Sequence, residues 1–150
     1  MEFRLTNRAD LTPEMCGQVL SFAQSYCAEN NADAITPYEV LNIFLNFAGG
    51  NSKDPQFWIC TEGVEIIGYM ITMPQFKNKK ANLNIRIGYI DSASRGNGVA
   101  GHCLEIIEDK AKKAGYELVT LETPLNPEIY GRWIRRYGYG YMSTEYKKEL

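Results

Sequence analysis

The apolar positions change period several times along the chain, and each change marks an element. Residues 2–8, "EFRLTNR", alternate as a short strand. In "LTPEMCGQVLSFAQSYCAEN" the spacing becomes helical, with Thr12 placed to cap and Pro13 in the first turn. The same signal recurs in "ITPYEVLNIFLNFAGG", where Thr36 caps, Pro37 opens the helix, Val40, Leu41, Phe44 and Phe47 form an apolar stripe, and Gly49 closes it. Three β-rich runs follow, "QFWICTEG", "EIIGYMITMP" and "ANLNIRIGYID", joined through Glu62-Gly63-Val64 and the polar turn "KNKK", which predicts an antiparallel meander. "VAGHCLEIIEDKAKKAG" is then a helix with Leu104, Ile107 and Ala111 on one side, and a lysine-rich last turn before Gly115. A strand, "LVTLET", a helix, "NPEIYGRWIRRYGYG", with Asn126 as cap and Gly138 past its end, and a final strand, "YMSTEYKKEL", complete the pattern. The order is β-αα-βββ-α-β-α-β, an α/β (α+β layered) arrangement around a mixed sheet.

Bulk properties narrow this picture. A chain of 150 residues fits one domain, here 1–150, and at 45% hydrophobic and 23% charged it has a globular composition. Cys16, Cys27, Cys60 and Cys103 lie far apart with no C-x-x-C pair, which argues against a zinc site or a disulfide framework and fits a reducing compartment. The first ten residues carry charges and no apolar signal segment, and the longest apolar-rich run, "IIGYMITM", is far shorter than the ~20 residues of a membrane span. A soluble cytoplasmic protein is expected, with neither nucleic acid nor a membrane as partner. The net charge of −2 divides unevenly: residues 1–75 hold three Lys/Arg and nine Asp/Glu, residues 76–150 thirteen and nine. An anionic ligand therefore belongs with the second half and a cationic one with the first, unless the asymmetry is ordinary surface variation.

One stretch carries candidate chemistry. "SRGNGVAG", residues 94–101, reads from Gly96 as G-x-G-x-x-G, a dinucleotide motif, and from Arg95 as R-x-x-G-x-A. The dinucleotide reading has a strand before it, a helix after it, and Glu122 ending the next strand ~20 residues on. It fails on two counts: Ser92-Ala93-Ser94-Arg95 separates strand from first glycine, and too few residues remain beyond Glu122 for a doubly wound sheet.

With R-x-x-G-x-A after "IGYIDSAS", and with this element order, the chain resembles the GNAT superfamily of acetyl-CoA-dependent N-acetyltransferases over nearly its whole length. The resemblance implies a mixed central sheet of six to seven strands flanked by four helices. It implies that Arg95, Gly96, Asn97, Gly98, Val99 and Ala100 form the loop holding the cofactor pyrophosphate, with Ile90 beside the pantetheine arm. The physical basis is inward-facing backbone N–H groups, about half a positive charge from the helix N-terminus, and the charge of Arg95.

The reaction so implied is transfer of acetyl from acetyl-CoA to a primary amine by direct attack in a ternary complex. An amine of pKa ~10.4 is neutral in only about one molecule in two thousand at pH 7, so its deprotonation is the step worth assisting. Family members often carry a tyrosine acid in the last helix; here Ile134 stands at that place, and Tyr130 and Tyr137, one turn away on the same face, are the candidates, Tyr130 slightly favoured. Asn126 corresponds loosely to an asparagine that opens this helix. The strand "NLNIRIGYID" is read as placing Asn84, Arg86 and Gly88 on one face with no glutamate, which leaves Glu122 as the nearest candidate base. His102 is read as a surface or phosphate neighbour and Cys103 as core. Glu14, Glu29, Asp33 and Glu39 on the first two helices suit an amine-bearing small molecule or a protein or peptide substrate. Tyr38, Phe44, Phe47 and Trp58 line that side or, more simply, pack in the core. The alternative function is a catalytically degenerate member used for binding or assembly. A homodimer is open, since edge strands can pair between subunits.

Overall fold

The computed structural model describes residues 1–30, 36–50, 53–77, 79–122, 139–142 and 145–150. Strand β1 (Glu2–Leu5) is followed by helices α1 (Pro13–Asn30) and α2 (Pro37–Phe47). The meander is β2 (Gln56–Glu62), β3 (Glu65–Lys77) and β4 (Lys80–Ile90), after which come α3 (Val99–Lys113), β5 (Leu118–Glu122), β6 (Gly140–Met142) and β7 (Glu145–Glu149). The seven strands form one sheet in the order β1-β2-β3-β4-β5-β7-β6. Every pairing is antiparallel except β4 with β5, the two strands that α3 connects. The terminal strand predicted from "YMSTEYKKEL" is in fact two, β6 and β7, pairing Gly140 with Lys147 and Met142 with Glu145. The predicted helix over 126–138 lies outside the described residues.

The caps form as the residue types dictate. Thr12 Oγ1 accepts from Met15 N at 3.2 Å and Thr36 Oγ1 from Glu39 N at 3.2 Å, each satisfying one of the first N–H groups of its helix. Past α3, Gly115 adopts φ +89° and stops the helix.

The sheet is covered on both faces. On one, α3 sets Cys103, Leu104, Ile107 and Ala111 against Trp58, Cys60, Met70, Leu83, Ile85, Val119 and Leu121. On the other, α1 and α2 set Val19, Ala23, Tyr26, Val40 and Phe44 against Phe57, Ile59, Tyr69, Ile71, Ile87 and Tyr89. Phe44 and Trp58 are thus core residues.

Strand β4 changes face half-way. Its register against β3 shifts between Ile85↔Thr72 and Ile87↔Ile71, so that Arg86 is the extra residue of a β-bulge. Before it, Leu83 and Ile85 face α3; after it, Ile87 and Tyr89 face α1 and α2. The bulge corrects the expectation that Asn84, Arg86 and Gly88 share a face. Asn84 lies opposite Leu83 and Ile85, whereas Gly88 pairs with Met70 on the α3 side.

Candidate active site

The sheet opens beside the same bulge. Strands β4 and β5 pair only from Asn82↔Leu118 to Ile85↔Leu121, and beyond that point β4 continues to Ile90 without β5 beside it. Asp91 N–H donates to Ile67 C=O at 2.8 Å, which fixes the alternation against β3: with Tyr89 opposite Tyr69 and Ile90 opposite Gly68, the N–H and C=O of Gly88 and Ile90 point away from β3. Among the described residues the N–H groups of Gly88 and Ile90 have no partner. Among the described residues the end of β4 therefore presents unpaired N–H groups towards the loop that follows.

That loop begins with a short 3₁₀ turn, Ser92–Ser94, in which Asp91 C=O accepts from Ser94 N–H at 2.9 Å. Gly96 at φ +87° and Gly98 at φ +74° then take left-handed conformations that residues with a Cβ rarely adopt. Gly98 caps α3 with its backbone only, and the first helical bond runs from His102 N–H to Gly98 C=O at 3.0 Å. The N–H groups of residues 96–101 have no partner among the described residues, and Arg95 to Gly98 are exposed. Val99, Gly101, Cys103 and Leu104 are buried against the sheet and hold the helix end in place. The result is an exposed row of backbone donors at the positive end of a helix, the arrangement that binds anions.

Arg95 is fixed in a way the sequence did not suggest. Its Nε donates to Ile90 C=O at 2.9 Å and its Nη2 to Glu29 Oε2 at 2.6 Å, while the guanidinium lies 5.3 Å from the centre of the Tyr89 ring. Tyr89 Oη donates to the other oxygen, Glu29 Oε1, at 3.1 Å. The Arg95 hydrogen bond is the main cause holding the Glu29 carboxyl below its ordinary range. Burial, then the bond to Glu29, raises the Tyr89 hydroxyl. Arg95 thus ties the loop to the end of β4 and to α1, and shares its charge with Glu29.

A second cluster also escaped the sequence reading. Asn82, Asn84 and Thr120 are fully buried polar residues where β4 and β5 still touch. Asn82 Nδ2 and Asn84 Nδ2 donate to Thr120 Oγ1 at 2.9 and 2.8 Å.

The other predicted residues divide as follows. Glu122 ends β5 opposite Glu145, but its side chain lies outside the description. Asn126, Tyr130, Ile134 and Tyr137 also lie outside the described residues, as does Asp33. His102 is exposed in the first turn of α3 and Cys103 is buried. Glu14, Glu39 and Tyr38 are exposed. All four cysteines are free. Among the described residues there is no group of side chains suited to a metal and no helix long and apolar enough to cross a membrane.

A model of the acetyltransferase (GNAT) family matches residues 20–131, which include the open β4 edge, the loop and α3. The chain belongs to this family. Solved GNAT-fold structures agree in architecture. The GNAT-family acetyltransferase of Staphylococcus aureus Mu50 superposes with a TM-score of 0.71 at 16% identity, covering 99% of this chain and 98% of that one. An acetyltransferase from Thermus thermophilus gives 0.71 at 16%, covering 100% and 98%. A ribosomal-protein-alanine N-acetyltransferase from Brucella melitensis biovar Abortus 2308 gives 0.66 at 14%, covering 91% and 90%. At such identities these likenesses speak for the fold. None of the curated proteins matches this GNAT chain in sequence.

Proposed function

We propose that this GNAT chain transfers an acetyl group from acetyl-CoA to a primary amine, by direct attack while both are bound. The observation that carries the reading is that the N–H groups of Gly88 and Ile90 and, after the short turn that follows them, those of residues 96–101 have no partner among the described residues. When bound, acetyl-CoA supplies a thioester carbonyl and a thiol of pKa about 8.5 as leaving group, which departs with little help from an acid. The loop N–H groups of Gly96 to Ala100 and the α3 N-terminus hold its diphosphate, with Arg95 at the margin. The β4 edge at Ile90 orients the amide-rich arm. Tyr130, Tyr137 and Glu122 remain the candidates for proton transfer, and Asn126 for a contact at the opening of the last helix. The acceptor is an amine-bearing small molecule or a protein or peptide substrate.

Ile134 at the usual tyrosine place favours a second reading, a member that binds the cofactor without turnover. Titration calorimetry with acetyl-CoA, combined with free-thiol release over a panel of amines, separates the two. Micromolar binding with amine-dependent thiol release supports transfer. Binding without release supports the second reading, and absence of binding refutes both.

A further inference from the structure

The deepest part of the open edge ends on polar atoms with no partner. Asn82, Asn84 and Thr120 are 0% exposed, and Asn84 and Thr120 are register partners one position before β4 and β5 separate. Thr120 Oγ1 has two lone pairs, and it accepts from the carboxamide N–H groups of both Asn82 and Asn84. Both carbonyl oxygens are thereby turned away. No donor reaches Oδ1 of Asn82 or of Asn84 among the described residues. Asn82 Nδ2 has a further, longer contact at 3.4 Å with Gln75 Oε1. Buried acceptors are satisfied in the great majority of cases, and leaving one unmade costs on the order of 1–3 kcal/mol. Two orphans side by side, at the point where the sheet opens, leave room for a donor that none of the described residues supplies.

The position identifies the donor. A ligand held at residues 96–101 and along Ile90 and Gly88 would bring its far end towards the vertex where β4 and β5 separate, at Ile85↔Leu121, next to Asn84 in the strand. An amine arriving there offers N–H groups and needs its lone pair free. A carboxylate in that place would favour the ammonium form; an uncharged carboxamide oxygen accepts one N–H and leaves the amine neutral.

We propose that Asn84 Oδ1 accepts an N–H of the acceptor amine, and that Thr120 and Asn82 are positioning residues that hold the Asn84 carboxamide with its oxygen towards the vertex. The proposal rests on the acetyltransferase reading above. Its test uses two stable coenzyme A derivatives, CoA–S–CH2–CO–NH–CH3, whose amide N–H stands for the amine, and CoA–S–CH2–CO–O–CH3, which has no N–H there. Calorimetry on the wild-type chain is expected to show the amide bound about tenfold more tightly than the ester. In Asn84→Leu, of similar volume, the ratio falls to about one while affinity for coenzyme A itself stays within about twofold. In Thr120→Val, which frees the carboxamide to turn, the ratio falls part of the way. Equal affinities for amide and ester in the wild type overturn the proposal even if neither variant folds, as does an unchanged ratio in a folded Asn84→Leu; an internal water on Asn84 gives that result. Failure of the wild type to bind coenzyme A at all overturns the acetyltransferase reading, whereas binding without amide preference overturns only the assignment of Asn84.

Discussion

The contact between Arg95 and Glu29 turns the role of the arginine into a measurable charge effect. In Glu29→Gln the carboxamide oxygen still accepts from Tyr89 Oη, while the NH2 that replaces Oε2 meets the Arg95 guanidinium donor to donor, so the negative charge and the hydrogen bond to Arg95 are lost together. The side chains of Arg95 and Glu29 are 46% and 40% exposed, so their ion pair, although 2.6 Å long, belongs with screened surface pairs contributing about 0–1 kcal/mol. That sets the cost to stability and also the most that a diphosphate gains when Arg95 is released to it. The least it gains is relief from direct repulsion. At about 10 Å in water each pair of unit charges repels by about 0.4 kcal/mol, so two phosphate charges give about 0.8, or roughly 0.3 after one Debye length of screening at 0.1 M salt. Acetyl-CoA should therefore bind Glu29→Gln about twofold to fivefold more tightly than wild type. The gain should disappear at 1 M salt, where the Debye length is about 3 Å. Because the Glu29 carboxyl titrates below its ordinary range in the folded chain, its share of stability is complete above the unfolded value and is lost as pH falls through the folded one. The affinity difference is accordingly constant across neutral pH. Calorimetric Kd values at two salt concentrations decide the matter: no difference at low salt refutes the charge argument, and weaker binding shows that Arg95 serves by tethering the loop to α1.

The remaining predictions concern the loop, the bulge and the core. Gly98→Glu places a side chain on a backbone at φ +74° and adds a negative charge among the unpaired N–H groups of the loop, so acetyl-CoA binding should be lost by calorimetry while the fold is kept. Deleting Arg86 leaves Ile85 and Ile87 on successive positions opposite Thr72 and Ile71, so Ile87 and Tyr89 keep facing α1 and α2 and the chain should still melt cooperatively; loss of the cooperative transition refutes that account of β4. Asp10, 8% exposed, accepts from Arg4 Nη1 and Nη2 at 2.8 and 2.7 Å and from Asn7 N–H at 2.7 Å. Asp10→Asn should cost about 1–3 kcal/mol in urea unfolding at pH 7. Since Arg4 holds the Asp10 carboxyl below its usual range, this difference should shrink as pH falls through the folded value. Trp58, 2% exposed, stacks on Phe3 with ring centres 5.2 Å apart and donates to Thr72 Oγ1 at 3.0 Å, so Trp58→Ala should cost about 3–5 kcal/mol by the same measurement.

What could be read from sequence was what local chemistry decides. Thr12 and Thr36 announce helix starts because a side-chain oxygen reaches the N–H three residues on, whatever the helix later packs against. Gly96 and Gly98 announce the loop because their φ values exclude most other residues. The last strand was misread because "YMSTEYKKEL" has no Asn-Gly or Asp-Gly pair to mark the break between β6 and β7.

The site was harder to read because its two decisive features depend on a register. In "NLNIRIGYID" strict alternation puts every second residue on one face, and nothing in the residue types marks Arg86 as the extra one. Yet that single position moves Gly88 to the other face from Asn84 and coincides with the end of β4–β5 pairing. Likewise Glu29 looked like one of four helix acids available to a cationic substrate. Only the packing of α1 over Tyr89 brings it to Arg95, 66 residues away, where it answers a charge of the chain itself. A pairing across that separation leaves no trace in spacing, and the acidity of the first two helices is correspondingly weaker support for an amine acceptor than the orphaned oxygens at the vertex. Those oxygens are neutral, so the recognition they offer is of an N–H and not of a cation. On the proposed reading, an acceptor whose amine enters uncharged is the one that suits this end of the sheet.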